Sequence, residues 1–394
     1  MNARGTAGRL VVGLASLALL AGCASGASPT PVPMAPTPIA APSAGVATPT
    51  LAPTPTASAS GPMTYGPVTV VTGTESCPGL NPDWTRDPNG TWHVRDQTVE
   101  CIDSTDDPRV SGTQTATWSM DVWGALDQGA GEGVQWGTIR LENAGGAWEG
   151  QLSGVASLPG RGDIIVIWYR GTGGYAGLSY FEMVTGSPPT WKIQGQVFPG
   201  DPPPPYAEGG TTIARPDATG PVADDAASVV TGTATCPTAD FGTPTTDADG
   251  VHHYRDMLWK CKVRTDDPRV SGIEAAPWNM DLWGTTGDGA LVQWGTSRLE
   301  NDGGAWEGTG SGVWSSDRGD DTIAFWYKGT GGYAGLSYFE LWTGQEPWAI
   351  QGQIIPGDPP KPKTGLGSRD SAWSRDPQNA RLRRSASRIA SASW

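Results

Sequence analysis

Short runs of alternating apolar and polar residues, rich in β-branched and aromatic side chains, fill most of the chain between residues 66 and 358. A period of two is typical of β-strands, and no stretch of twelve residues shows the period of an amphipathic helix with caps. Glycine, proline, asparagine or aspartate bounds each run. In the first half of this region the pattern predicts eight strands, near 67–74, 91–101, 114–123, 133–142, 146–154, 163–170, 176–184 and 190–198.

An internal repeat divides this region into two copies. TDDPRVSG stands at 105–112 and again at 265–272, and GTGGYAGLSYFE stands at 171–182 and again at 329–340. An offset near 160 residues is too long for a solenoid repeat and indicates a duplicated domain. The predicted domains are repeat 1 at 64–201 and repeat 2 at 224–358, joined by a linker at 202–223.

The hairpin connections favour an all-β fold of two tandem antiparallel eight-stranded barrels. The segments ENAGG (142–146) and RGTGG (170–174) look like turns in which glycine supplies positive φ. Closing each sheet into a barrel removes its exposed edges. A pair of two-sheet β-sandwiches is the alternative architecture.

Glycines and aromatic residues recur in both copies with a spacing that is similar to that of a known family. GGAWEG (145–150) is followed by GGYAGL (173–178), and both recur in repeat 2. This spacing resembles the barrel domains of allene oxide cyclase and dirigent-like proteins, and the resemblance implies a barrel. The catalytic residues of those proteins match no positions here, so their isomerase and coupling-guidance activities do not transfer.

The first 23 residues resemble the signal of a bacterial lipoprotein. An apolar stretch at 10–22 ends in Leu20-Ala21-Gly22-Cys23, which resembles a lipobox. The resemblance implies a signal peptide at 1–22, cleavage before Cys23 and lipid attachment to its thiol. An ordinary secretory signal is the alternative. The lipobox resemblance thus predicts an extracytoplasmic protein that is anchored to a membrane through Cys23. A Pro/Thr/Ala-rich tether at 23–63 would separate its folded part from that membrane.

The four remaining cysteines support export. Matching positions in the two copies pair Cys77 with Cys101 and Cys236 with Cys261, and both bridges need an oxidising compartment. A site formed by all four thiolates is the alternative, although no C-x-x-C spacing is present. We therefore expect no metal and no cofactor.

Charge restricts the partners. The net charge of −14 excludes a uniformly basic nucleic-acid-binding chain, and three histidines exclude most histidine-rich metal sites. The segment 359–394 is a predicted disordered tail with eight Lys and Arg against two Asp. We expect no nucleic-acid partner, and a glycan or cell-wall polymer is a candidate partner.

Strand 133–142 carries the candidate ligand-binding residues. Alternation places Trp136, Arg140 and Glu142 on one face, and the second copy repeats them as Trp294, Arg298 and Glu300. Such a face either lines a ligand cavity or forms a solvent face with a cross-strand ion pair. Six tryptophans recur in both copies, and they either fill the barrels or stack on sugars.

The sequence matches no catalytic motif in the structural context that the motif needs, so we name no catalytic residue. His93 and Asp96 fall on opposite strand faces, which argues against a simple dyad. Glu149 and Glu182 recur as Glu307 and Glu340, which leaves a hydrolase or isomerase open. The leading prediction is a non-catalytic binding module for a glycan or small apolar ligand. The main alternative is a structural or protein-interaction lipoprotein of the cell envelope.

Overall fold

A computed structural model describes residues 63–158, 162–203, 212–214, 227–285 and 287–363. Cys23, the predicted signal peptide and nearly all of the predicted tether lie outside the described residues. The described part is almost entirely antiparallel β-sheet, which confirms the predicted fold class. Within it, no helix has the length and apolar character needed to cross a membrane.

Repeat 1 contains the eight predicted strands within a few residues of their predicted bounds. It also contains two short strands, Met63–Tyr65 and Thr85–Arg86, that the sequence pattern does not predict. The strands are β1 Met63–Tyr65, β2 Val68–Ser76, β3 Thr85–Arg86, β4 Trp92–Thr105, β5 Gly112–Trp123, β6 Gly131–Asn143, β7 Gly146–Leu158, β8 Gly162–Gly173, β9 Leu178–Ser187 and β10 Thr190–Pro199.

Consecutive long strands pair with one another, and the ends of the series meet. The order is β2-β10-β9-β8-β7-β6-β5-β4, and β4 also pairs with β2. This last pairing closes the sheet, as the predicted barrel topology requires and a sandwich does not. The closing seam is short, with register pairs running from Gly73 opposite Thr105 to Ser76 opposite Ile102.

Repeat 2 has the same order and closes through β12 and β14. Its long strands are β12 Ser228–Asp240, β14 His252–Thr265, β15 Gly272–Thr285, β16 Asp288–Asn301, β17 Gly304–Ser315, β18 Asp320–Gly331, β19 Leu336–Gly344 and β20 Trp348–Pro356. Three short strands complete the chain order, namely β11 Thr212–Ala214, β13 Thr245–Thr246 and β21 Lys361–Lys363.

The predicted linker and tail are not wholly without structure. Strand β11 of the linker pairs antiparallel with β21 at the start of the tail. Pro362 occupies β21 in an isolated two-stranded sheet, a setting that tolerates a residue without a backbone N–H.

Large aromatic side chains fill the interior of repeat 1. Trp148 is fully buried and stacks on Tyr175 with ring centroids 5.0 Å apart. Tyr169 and Tyr180 stack beside it at 5.4 Å. Gly195 admits the Tyr180 ring, since a Cβ there would lie 2.6 Å from a ring carbon. The prediction that recurring tryptophans fill the barrels is confirmed for Trp148, whereas Trp168 packs in a cluster shared by both repeats.

The two repeats pack against each other through matching positions. The indole of Trp168 donates a hydrogen bond to Ser311 Oγ over 3.0 Å. Its counterpart Trp326 donates to Ser153 Oγ, the counterpart of Ser311, over 3.1 Å. This reciprocity is what a two-fold axis between two identical subunits produces. The duplicated domains are therefore arranged as a pseudo-symmetric pair.

A second set of hydrogen bonds follows the same symmetry. Gln196 donates its amide N–H to the Trp314 carbonyl over 2.9 Å, and Gln353 donates to the Ala156 carbonyl over 3.4 Å. Apolar side chains from both repeats surround these bonds in one buried cluster. Its members include Val155, Val166, Phe181 and Phe198 of repeat 1 with Trp283, Val292, Val313 and Phe339 of repeat 2.

Candidate functional site

The candidate residues on β6 lie on the outer face of the barrel. Arg140 and Glu142 are exposed, whereas their neighbours Ile139 and Leu141 are buried in the interior cluster. Arg140 Nη1 lies 2.6 Å from Glu149 Oε1 across the hairpin, and Arg140 Nε lies 3.3 Å from Glu142 Oε2. Of the two arrangements that alternation left open, the structure has the solvent face with its ion pair. These side chains do not line the barrel interior.

Repeat 2 reproduces this outer face. Arg298 pairs with Glu307 across the hairpin and contacts Glu300, with Arg298 Nε 3.4 Å from Glu300 Oε2. Exposed pairs of this kind contribute less than about 1 kcal/mol each. A binding role for Arg140, Glu142, Arg298 and Glu300 stays a prediction.

Trp136 and Trp294 lie on the same outer face but are covered. Trp136 is buried in a small cluster with residues of repeat 2, and the guanidinium carbon of Arg95 lies 5.2 Å from its ring centroid. Trp294 is half-buried, with Arg255 at 5.0 Å. Cations over indole faces at these distances are attracted to the ring. An arginine therefore covers one face of each indole.

A buried aspartate organises the polar group beside Trp136. His93 Nδ1 lies 2.6 Å from Asp121 Oδ1, and Arg95 Nη2 lies 2.6 Å from the same oxygen. His93 Nε2 also lies 3.3 Å from Asp87 Oδ2. Both ring nitrogens can donate only in the imidazolium form. The hydrogen bond to Asp121 accordingly raises the pKa of His93.

The His93–Asp96 couple considered from the sequence does not form. A register shift between Val94 and Gln97 places Asp96 in a bulge with φ of 46°, whereas Asp121 lies directly opposite His93 on β5. Repeat 2 repeats the arrangement, with His253 Nδ1 2.7 Å from Asp281 Oδ1. Sequence reasoning missed Asp121 because the pairing register of β4 and β5 was unknown.

Repeat 1 also buries three carboxyl groups among its tyrosines. Glu75 and Asp103 face each other across the seam, and they are 7% and 2% exposed. Glu182 on β9 is fully buried. Gln114 links this group to the aromatic core by donating to Asp103 Oδ2 over 3.2 Å and to the Tyr169 hydroxyl over 3.1 Å. We call Glu75, Asp103 and Glu182 the acid cluster.

Burial raises the pKa of all three carboxyl groups of the acid cluster. Loss of hydration, followed by the charge of Glu75, raises the pKa of Glu182 to about 8. Burial, followed by the charge of Asp163, raises the pKa of Glu75 to about 7. Burial and the neighbouring charges of Glu182 and Glu75 also raise the pKa of Asp103 well above its usual value. Like charges enclosed together favour the protonated forms.

Repeat 2 has fewer acids at these positions. In repeat 2, the positions equivalent to Glu75 and Asp103 are occupied by Ala234 and Val263. Glu340 is retained and fully buried, and burial raises its pKa. Glu274 replaces Gln114, and it accepts hydrogen bonds from Ser297 at 2.5 Å and from Tyr327 at 3.0 Å.

The recurring carboxylates therefore do not form the pair that a hydrolase needs. Glu149 is on the outer face, while Glu182 is sealed inside, and the same separation holds for Glu307 and Glu340. Carboxyl groups with a pKa near 7 or 8 have the acidity of general acids and bases. Reaction with a substrate would require access that the fully buried Glu182 does not have.

A small cavity lies between the repeats. Ser153 and Val166 line it from repeat 1, and Ser311, Ala324 and Trp326 line it from repeat 2. Its volume of about 10 Å³ is comparable with the space occupied by one water molecule. It is too small for a sugar or a small apolar ligand.

Both predicted disulfide pairings are present. Cys77 bonds to Cys101 and Cys236 bonds to Cys261. The second bond joins the closing strands β12 and β14, and the first joins β4 to Cys77, the residue that directly follows β2. Such bonds fit an oxidising environment outside the cytoplasm.

Comparisons with protein-family models, with curated proteins and with solved structures found no match. The resemblances noted in the sequence therefore remain predictions.

Proposed function

We propose that this chain is an exported, lipid-anchored envelope protein whose two barrels form a rigid, non-catalytic body that presents its outer surface to partners. The observation that carries the proposal is the reciprocal packing of the repeats. Trp168 with Ser311 and Trp326 with Ser153 make a buried, symmetric contact between domains with filled interiors. Packed contacts of this kind favour a fixed arrangement over independently moving domains.

The filled interiors favour this role over a ligand-carrying barrel. Trp148, Tyr169 and Tyr180 occupy the centre of repeat 1, and Trp306, Tyr327 and Tyr338 occupy that of repeat 2. None of the twelve recurring tryptophans is exposed, so stacking on glycans has little indole surface to use. Partners would therefore contact the outer strands.

Rigidity can be measured directly. Spin labels on Glu149→Cys and Glu307→Cys report the distance between exposed, equivalent positions of the two repeats. We expect one narrow distance distribution that is unchanged up to the unfolding transition. The variant Trp168→Ala, which removes one of the reciprocal contacts, is the comparison. A broad distribution in the otherwise unaltered protein contradicts the proposal.

Anchoring is tested separately in cells. Cys23→Ser should release the protein from the membrane fraction and abolish incorporation of a labelled fatty acid, because the thiol is the proposed attachment point. Cys23 lies outside the described residues, so this part of the proposal rests on the lipobox resemblance. Unchanged membrane association of Cys23→Ser contradicts lipid anchoring while leaving the rigid body intact.

A further inference from the structure

One outer strand face of repeat 2 carries a row of positive charges. Lys260, Lys262 and Arg264 alternate along β14 with buried Cys261 and Val263, and all three are exposed. Alternate residues of a strand point the same way and are about 7 Å apart. We call Lys260, Lys262 and Arg264 the basic stripe.

The stripe stands out against an acidic domain. Residues 227–358 contain eight Lys and Arg against eighteen Asp and Glu, and three of the eight are in the stripe. Cations elsewhere in repeat 2 are engaged, for example Arg255 by Asp281 and Lys328 by Asp358. Lys262 and Arg264 form no ion pair with any other residue that the structure describes.

Neutral residues lie directly opposite the stripe on both neighbouring strands. Thr233 lies opposite Arg264 and Thr235 opposite Lys262 on β12, and both are exposed. On the other side, Ile273 and Ala275 of β15 lie opposite Lys262 and Lys260. Asp266, two residues beyond the stripe, accepts a hydrogen bond from the Thr231 hydroxyl over 2.7 Å. Strand β12 thus offers hydroxyl donors, and neither β12 nor β15 has a carboxylate directly opposite the cations.

The first repeat lacks this feature although it shares the fold. Glu100, Ile102 and Ser104 occupy the equivalent positions on β4. All three positions differ between the copies, and all three are cationic in repeat 2. Packing does not require this, because the equivalent uncharged Ile102 is itself exposed on the same face.

We propose that the basic stripe binds a linear phosphodiester polymer of the cell envelope. Phosphates joined by short carbon bridges repeat at a spacing similar to that of alternate strand residues, so successive phosphates can meet successive cations. Lysine and arginine neutralise the phosphates, and the threonine hydroxyls can donate hydrogen bonds to them. The inference rests on the proposed function, which places the outer strands of the protein at the envelope.

Binding is measured with the full-length Cys23→Ser chain and a synthetic poly(glycerol phosphate) oligomer. Lys260→Gln/Lys262→Gln/Arg264→Gln should weaken binding about tenfold or more, and should reduce the salt dependence by roughly two in log–log slope. The matched control, Arg86→Gln/Lys192→Gln/Lys328→Gln, removes three exposed cations that lie outside the stripe. Its affinity should stay within about twofold of the parent chain. The basic residues beyond 361 are common to all three proteins.

Several outcomes overturn the inference. Equal weakening in both triple variants shows that net charge, and not the stripe, governs binding. Binding to vesicles containing phosphatidylglycerol that needs the stripe, without binding to the oligomer, assigns the stripe to a lipid surface. Absence of binding to the oligomer also overturns it. Because anchoring is removed in every protein used, none of these results depends on whether Cys23 is lipidated.

Discussion

Raising the pH from about 5 to about 8 should destabilise this protein, because carboxyl groups sealed in the barrels must then give up protons. Burial raises the pKa of Glu182 from 4.5 to about 8. A group whose pKa is raised by folding holds its proton more tightly in the folded state. The stability it contributes is complete below its unfolded pKa near 4.5, and is lost as the pH rises through about 8.

The size of the effect follows from the shift. Each pKa unit corresponds to about 1.4 kcal/mol, so the full shift of Glu182 amounts to roughly 5 kcal/mol, of which about 3.5 kcal/mol is lost between about pH 5 and pH 8. Glu75 and Glu274, each raised from 4.5 to about 7, act in the same direction. A domain is usually stable by only about 5–15 kcal/mol, so the effect should be easily measured.

The assay is urea unfolding followed by tryptophan fluorescence at several pH values in this range. Glu182→Gln keeps the shape of the side chain and cannot ionise, so its free energy of unfolding should fall less steeply with pH. The control is Glu149→Gln, which changes an exposed carboxylate. The raised pKa of His93 also makes the folded protein more stable at lower pH. Comparing the pH slope of Glu182→Gln with that of the unsubstituted protein therefore isolates the contribution of Glu182.

Two results would refute this reasoning. One is a free energy of unfolding that rises between about pH 5 and pH 8 in the unsubstituted protein. The other is a pH slope for Glu182→Gln that equals that of the unsubstituted protein, while Glu149→Gln also leaves it unchanged. Either result would mean that the carboxyl group is already ionised inside the folded barrel.

Three further predictions concern the seam, the histidine and the contact between repeats. Replacing Cys77 and Cys101 by alanine should cost roughly 3 kcal/mol in urea unfolding, because the bond closes a loop of 24 residues; a free energy of unfolding equal to that of the parent chain would contradict this. Asp121→Asn should lower the pKa of His93 towards its usual value in an NMR titration, and an unchanged pKa would contradict the assigned hydrogen bond. Trp168→Ala should cost about 3–5 kcal/mol by calorimetry, since it removes a buried indole, and a loss below about 1 kcal/mol would mean that the contact between repeats is loose.

The disulfides and the strand positions could be predicted because they depend on local pattern and on duplication. Cys77 and Cys101 have counterparts in the second copy, which singled out one pairing among three. Period-two alternation gave the eight long strands of repeat 1 with errors of a few residues. The two-residue strand β3 was missed because so short a segment has no detectable period.

Alternation also showed which side chains of β6 share a face, but not which face points inward. Arg140 and Glu142 do lie together, as predicted. They are outside because Ile139 and Leu141 fill the barrel on the other side. From the sequence alone both orientations satisfied the same period.

The sequence by itself determined that the chain contains a duplicated all-β domain with one disulfide in each copy. Repetition and alternation can be read directly from the order of the residues. Only the tertiary structure decided that Asp121 meets His93, that Glu75 meets Asp103, and that Trp168 reaches the other repeat. Those contacts depend on strand register and on how two closed sheets pack. Strand register and the packing of the two sheets depend on contacts between residues far apart in the sequence. The periodicity of the sequence contains no information about those contacts.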